Sequence, residues 1–235
     1  MNPTLHKLKI LLESTLDILL PHTCIGCRSW SDGLVCQSCN TALTQANIQT
    51  RQFLPEITSA LSILDYQGLT ESLIHAYKFA MLQNLSHYFT QIILTHLPQN
   101  PYQNAIWTPV PFHTGRRKLR GYDHVRLIFE PVLKHWNTPL IDIAYRAKNT
   151  PHLYDLPPAQ RQQALANAFQ LHQNIDITNA SIVIVDDILT TGSTTRELAK
   201  LFKSAGATNI HVIALAGGRY RIGNKQQKMD NVQKT

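Results

Sequence analysis

The run from Ile182 to Thr195, IVIVDDILTTGSTT, constrains this chain more than any other stretch. Four β-branched apolar residues lead into two adjacent carboxylates, Asp186 and Asp187. A turn of Thr, Gly and Ser follows, and then a helical pattern. A continuous apolar run reads as a strand buried on both faces, as in a parallel sheet. The carboxylates are therefore expected at the C-terminal end of that strand, where open α/β sheets take ligands. Thr190, Thr191, Gly192, Ser193 and Thr194 supply hydroxyls and backbone N–H groups at a helix N-terminus, which suits a phosphate. Acids and turn together suit a ribose carrying a phosphate, with vicinal hydroxyls on the acids. The alternative is a capped strand-to-helix turn with no ligand, but an acid pair at a crowded strand end costs stability unless something pairs with it.

All four cysteines lie close together, at Cys24, Cys27, Cys36 and Cys39. Two residues between ligands let both thiolates of a knuckle point at one tetrahedral metal. The pattern predicts a small zinc ribbon with Gly26 and Gly33 in its turns. Four cysteine ligands leave no open position, so the zinc would be structural. Two disulfides are the first alternative, and the lack of an export signal argues against them. An iron–sulfur cluster is the second.

The first 21 residues place Leu5, Leu8, Leu12, Leu16 and Leu19 at spacings of three and four, an amphipathic helix stopped by Pro21. Glu13 and Asp17 interrupt its apolar part, which excludes a signal peptide or a membrane span. The net charge is +7. It arises beyond residue 50, because the first 50 residues carry three basic and three acidic side chains. Such a surface suits phosphates, nucleic acid or anionic lipid, and charge alone does not choose among them.

Further strands are expected at Leu61–Tyr66, Ile106–Pro111, Pro139–Tyr145 and Ile210–Leu215, with helices from Thr70 and over Thr195–Ala205. Residues 40–58 read as a connection. Between Pro111 and the next helix lies HTGRRKLRGYDH, with Arg116, Arg117, Lys118 and Arg120 before Gly121. Guanidinium forks in such a loop orient phosphoryl oxygens; a solvated basic loop is the plainer reading. Trp107, Tyr122 and His124 lie among these basic residues and could support strand binding, although such aromatics more often belong to the core.

The strand, the acid pair and T-T-G-S-T resemble the phosphoribosyl diphosphate (PRPP) motif of the type I phosphoribosyltransferases. The cysteine cluster, Tyr66 with Gly68, and the P-V-P-x-H-x-x-R-x-x-x-R-G pattern are similar to the ComF/GntX branch. Asp123-His124 stands where that branch usually has Asn-Gln. The resemblance implies an α/β fold, a phosphoribosyltransferase-type doubly wound parallel sheet preceded by a small zinc-ribbon module. It divides the chain into 1–45 (helix and ribbon), 60–220 (phosphoribosyltransferase-like domain) and a tail over 221–235. It gives Asp186 and Asp187 the catalytic position, Thr190 to Thr194 the PRPP phosphate, and Arg116, Arg120 and Gly121 the pyrophosphate, with Mg²⁺ arriving with PRPP. By the same comparison Lys78 faces the ligand; as a lone lysine near a helix end it is equally a solvated one. Residues 146–169 correspond to a hood loop, in which Leu153 replaces a glutamine and Pro157-Pro158 stiffens the chain.

The function implied is binding of PRPP or a nucleotide, with transferase chemistry left open, in DNA uptake during natural transformation. The contrasting reading is a non-catalytic scaffold that binds single-stranded DNA or docks a ComFA-like helicase or a DprA-like recombination mediator. Either would act in the cytoplasm or at the inner face of the membrane, without an integral membrane segment.

Overall fold

The computed structural model describes residues 23–51, 55–80, 82–111, 122–147 and 167–218. The expected N-terminal helix, the loop residues Arg116, Arg117, Lys118, Arg120 and Gly121, most of the hood segment and the tail from residue 219 lie outside the described residues. Along the chain come α1 (Gln37–Thr44), β1 (Gln49–Arg51), β2 (Ser59–Asp65), α2 (Leu69–Phe79), α3 (Leu85–His96) and β3 (Ile106–Pro109). Then follow α4 (His124–His135), β4 (Ala144–Arg146), β5 (Phe169–Leu171), β6 (Ser181–Leu189), α5 (Ser193–Ser204) and β7 (Asn209–Gly217).

The main sheet has the order β1-β2-β7-β6-β3. β2, β7, β6 and β3 run parallel, and β1 adds an antiparallel edge. β6 is flanked on both sides and covered on both faces, which is why its sequence shows no alternation. Val183 and Val185 enter one core with residues of α2, α3 and α4, among them Tyr77, Phe89 and Ile128. Ile182 and Ile184 enter a second core with Leu198, Ala199 and Phe202 of α5 and with Phe169 of the β4–β5 ribbon. α5 is amphipathic, and those three residues are its buried stripe. Gly206 follows it with φ +95°, and a Cβ there would lie 3.3 Å from the Thr178 backbone.

Two expectations shift. The supposed connection over 40–58 contains the end of α1 and all of β1, which pairs Gln49 with Ser62 and Arg51 with Ala60. The strand expected from Pro139 reaches the main sheet only through a bridge between Leu140 and Trp107, and its last residues pair with β5 instead. Trp107, Tyr122 and His124 are buried, in keeping with the core reading of these aromatics, and are not an exposed stacking surface.

Candidate functional site

Asp186 and Asp187 are the sixth and seventh of the nine residues of β6, which ends two residues later at Leu189 before the turn to α5. Gly192 caps α5 in the left-handed region, φ +72°, a conformation that glycine adopts without strain. Thr195 Oγ1 donates to Gly192 O at 3.0 Å, and the Thr191 and Ser193 hydroxyls meet at 2.8 Å. These bonds hold the turn tight while the first N–H groups of a twelve-residue helix have no partner within that helix. Thr190 is exposed, Thr191, Ser193 and Thr194 are half-buried, and Gly192 is buried.

The two acids have different surroundings. Asp187 is buried and meets two side chains at one oxygen: Lys78 Nζ lies 2.7 Å and His124 Nε2 2.5 Å from Oδ2. Burial alone would push the Asp187 carboxyl up, but Lys78 and His124 outweigh it and hold the group well below the usual carboxylate range. Asp186 is half-buried, and its Oδ1 accepts from the Asp187 N–H at 2.8 Å. Desolvation raises the Asp186 carboxyl well above its ordinary value, and the neighbouring Asp187 charge adds to the rise.

Lys78 and His124 are themselves fixed. Lys78 sits in the last turn of α2 and is buried, so of its two readings the solvated one is excluded. Tyr77 beside it donates from its hydroxyl to His124 O at 2.9 Å, and Tyr122 donates back to Tyr77 O at 2.7 Å. These bonds tie the end of α2 to the start of α4. Asp123 is the N-cap of α4 and accepts from Arg126 N at 3.0 Å, so the unusual Asp123 starts a helix. The part played by His124 could not be read from spacing, since 63 positions separate it from Asp187. Its only signal was the departure from the branch's usual Asn-Gln.

The four cysteine sulfurs lie within 4.8 Å of one another, with Cys27 and Cys36 at 3.6 Å. A tetrahedral zinc with bonds of about 2.3 Å would set them roughly 3.8 Å apart. The set can hold a metal ion such as zinc. The Ser38 hydroxyl, 3.1 Å away, pulls the Cys36 thiol down to about 5, whereas burial pushes Cys39 up to about 12. The cluster packs against the α/β core. A Cβ on Gly26 would lie 2.0 Å from Leu69 Cδ1, Tyr88 donates to Asn40 Oδ1 at 2.9 Å, and His96 meets Leu43 O at 2.9 Å. Among the described residues no helix is long and apolar enough to cross a membrane.

Residues 134–235 match the phosphoribosyl transferase domain family. Over 197 residues the chain is 26% identical to the DNA utilization protein YhgH of Escherichia coli (strain K12), covering 79% of this chain and 85% of that protein. It is 34% identical over 110 residues to Competence protein F of Haemophilus influenzae, covering 46% of this chain and 48% of that one. Among solved structures, a hypoxanthine phosphoribosyltransferase from Staphylococcus aureus aligns with TM-score 0.33 and 18% identity, over 57% of this chain and 60% of that chain. The domain match over residues 134–235 and the two sequence relatives, set beside the parallel sheet and the cysteine cluster, support the resemblance of this chain to ComF-like proteins of the type I phosphoribosyltransferase superfamily.

Proposed function

We propose that this protein binds PRPP or a related ribose phosphate at the end of β6 and works in the uptake and use of DNA. The observation that carries the ligand is the acid pair standing before the glycine cap of a helix N-terminus, with the four residues Ile188 to Thr191 lying between Asp187 and Gly192. The phosphate would rest on Thr191, Gly192, Ser193 and Thr194 and the ribose hydroxyls at the acid pair, with Arg116, Arg120 and Gly121 meeting the pyrophosphate. Mg²⁺ would arrive with that pyrophosphate. The part in DNA uptake is supported by relatives named for DNA utilization and competence. We further infer that the four cysteines hold one structural Zn²⁺, since all four ligand positions are thiols.

Calorimetric titration with PRPP, with and without Mg²⁺, tests the ligand. Wild type should bind, and Gly192→Val should lose at least tenfold, because a branched side chain is strained at φ +72° and crowds the phosphate's approach. Equal affinity in both proteins would place the ligand elsewhere. No binding in either would favour the scaffold reading, in which the fold serves single-stranded DNA or a competence partner.

A further inference from the structure

A cleft at the other end of the strands has no part in the ribose-phosphate reading. The acid pair lies towards the C-terminal end of β6, whereas the cleft joins the loop that leads into β3 with the end of α4. Its volume is about 480 Å³, within the roughly 300–1,000 Å³ usual for small-molecule sites. The two walls are tied together. Asn100 Nδ2 donates to Thr138 Oγ1 at 2.9 Å, and Asn100 Oδ1 accepts from Tyr102 N at 2.8 Å. Asn137 follows the C-cap of α4 at φ +52°, where Asn137 N donates to Lys134 O and Thr138 N to Leu133 O. A helix closed in this way needs a residue that tolerates the left-handed region, and asparagine does. Trp136, the C-cap itself, is half-buried, and its ring centroid lies 5.5 Å from that of Trp107 with 57° between the planes.

The lining suits a flat, uncharged ligand that forms hydrogen bonds. Gln99, Gln103 and Asn137 bring three carboxamides, His135 an imidazole and Trp136 an indole. Among the described residues these carboxamides have no side-chain partner, and the buried Trp136 Nε1 has no acceptor. None of the lining residues is Lys, Arg, Asp or Glu, and the carbonyl end of a helix disfavours anions. Phosphates and metal ions are therefore poor occupants. A carboxamide meets adenine with a donor and an acceptor at once, whereas guanine is read by Arg or Lys and cytosine by Asp or Glu. An aromatic ring beside such groups stacks a base.

We propose that this cleft binds a nucleobase, adenine in preference to the others, with the base on the Trp136 ring and its edge on the carboxamides.

The probe is adenosine, added to the full chain labelled with nitrogen-15. Trp30, Trp107 and Trp136 each give one indole N–H resonance, and Trp136→Phe identifies the one that belongs to the cleft. Adenosine should shift that resonance saturably, and guanosine should need a concentration at least about fivefold higher. Asn137→Gly combined with Gln103→Ala should weaken adenosine about tenfold or more with no fall in Tm, because both side chains are exposed and glycine adopts φ +52° freely. Ribose 5-phosphate, which probes the strand-end site, should neither shift the resonance nor displace adenosine. An oligodeoxyadenylate acting at lower concentration than adenosine would place the base within a strand, and the reverse order would make it a free nucleoside. No shift with adenosine, an equal shift with glucose, displacement by ribose 5-phosphate, or unchanged affinity in the double variant overturns the assignment. None of these results depends on whether the chain binds PRPP.

Discussion

Asp186 carries the clearest trade between stability and ligand binding. Its folded carboxyl lies well above the ordinary value because it is desolvated beside the charged Asp187. An acid whose folded value is raised contributes most at pH below its unfolded value, near 4, and that contribution is lost as pH rises through the folded value. At neutral pH the group is therefore a liability. Asp186→Asn should melt about 3 °C higher than wild type at pH 7, the response to roughly 1 kcal/mol in a chain of this size. The gain should shrink as pH falls towards 4. Melting curves across pH 4–8 check this, and a constant difference would mean that Asp186 titrates normally. Asp187 has the opposite sign. Its folded value is depressed, so its contribution is full above about pH 4 and is lost only in stronger acid. From the sequence the two residues look equivalent; their partners come from α2 and α4, and side chains so distant in the chain leave no local pattern. Asp123 is the converse case. Read as a charge beside the basic loop, it is a helix cap three residues from the N–H that it receives.

The β6–turn–α5 unit was legible because each part is long or chemically specific. A nine-residue strand covered on both faces and a twelve-residue helix with one apolar stripe leave strong periodic signals. β1, β4 and β5 have three residues each, and three residues carry no period. They exist because partners elsewhere in the chain pair with them. The cysteine cluster was legible from spacing alone, while its seat on the core was not. Leu69, Tyr88 and His96 belong to α2 and α3 and reach the ribbon and α1 only in the folded chain. A zinc-loaded ribbon should therefore stabilise more than itself. Cys36→Ser should release the metal and abolish protection of amides near residues 23–45 in hydrogen exchange, since metal-binding energy in such modules is folding energy. Protection should also fall along the exposed side of α3, while β6 and β7 stay protected. Metal content by elemental analysis gives the stoichiometry, expected at one Zn²⁺ per chain; reduced protein that contains none would refute the zinc assignment.

For the chain taken together, a charge of +7 with a balanced first fifth leaves the basic excess on the α/β part and on residues 221–235, which alone carry four basic side chains and one acidic. If single-stranded DNA is handled there, affinity should be indifferent to sequence and fall with salt. Four phosphate contacts would give a slope of log affinity on log salt near −3, at about −0.7 per contact. Arg116→Ala with Arg117→Ala should flatten that slope by about 1.4, at about 0.7 per lost contact. Fluorescence anisotropy that shows binding indifferent to salt would remove DNA from the direct partners. The burial of Trp107, Tyr122 and His124 means that such binding would draw on charge more than on these rings.

The sheet's margins have a different consequence. β1 ends the sheet after three residues and β3 after four. Along β3 one carbonyl, Trp107 O, already receives Ile141 N at 2.8 Å, and Pro109 has no N–H to give. A second molecule seeking to continue the sheet would find a template too short to grip. Concentrated solutions of this protein should therefore resist fibrillar growth at these two margins, through the brevity of both strands and the proline of β3.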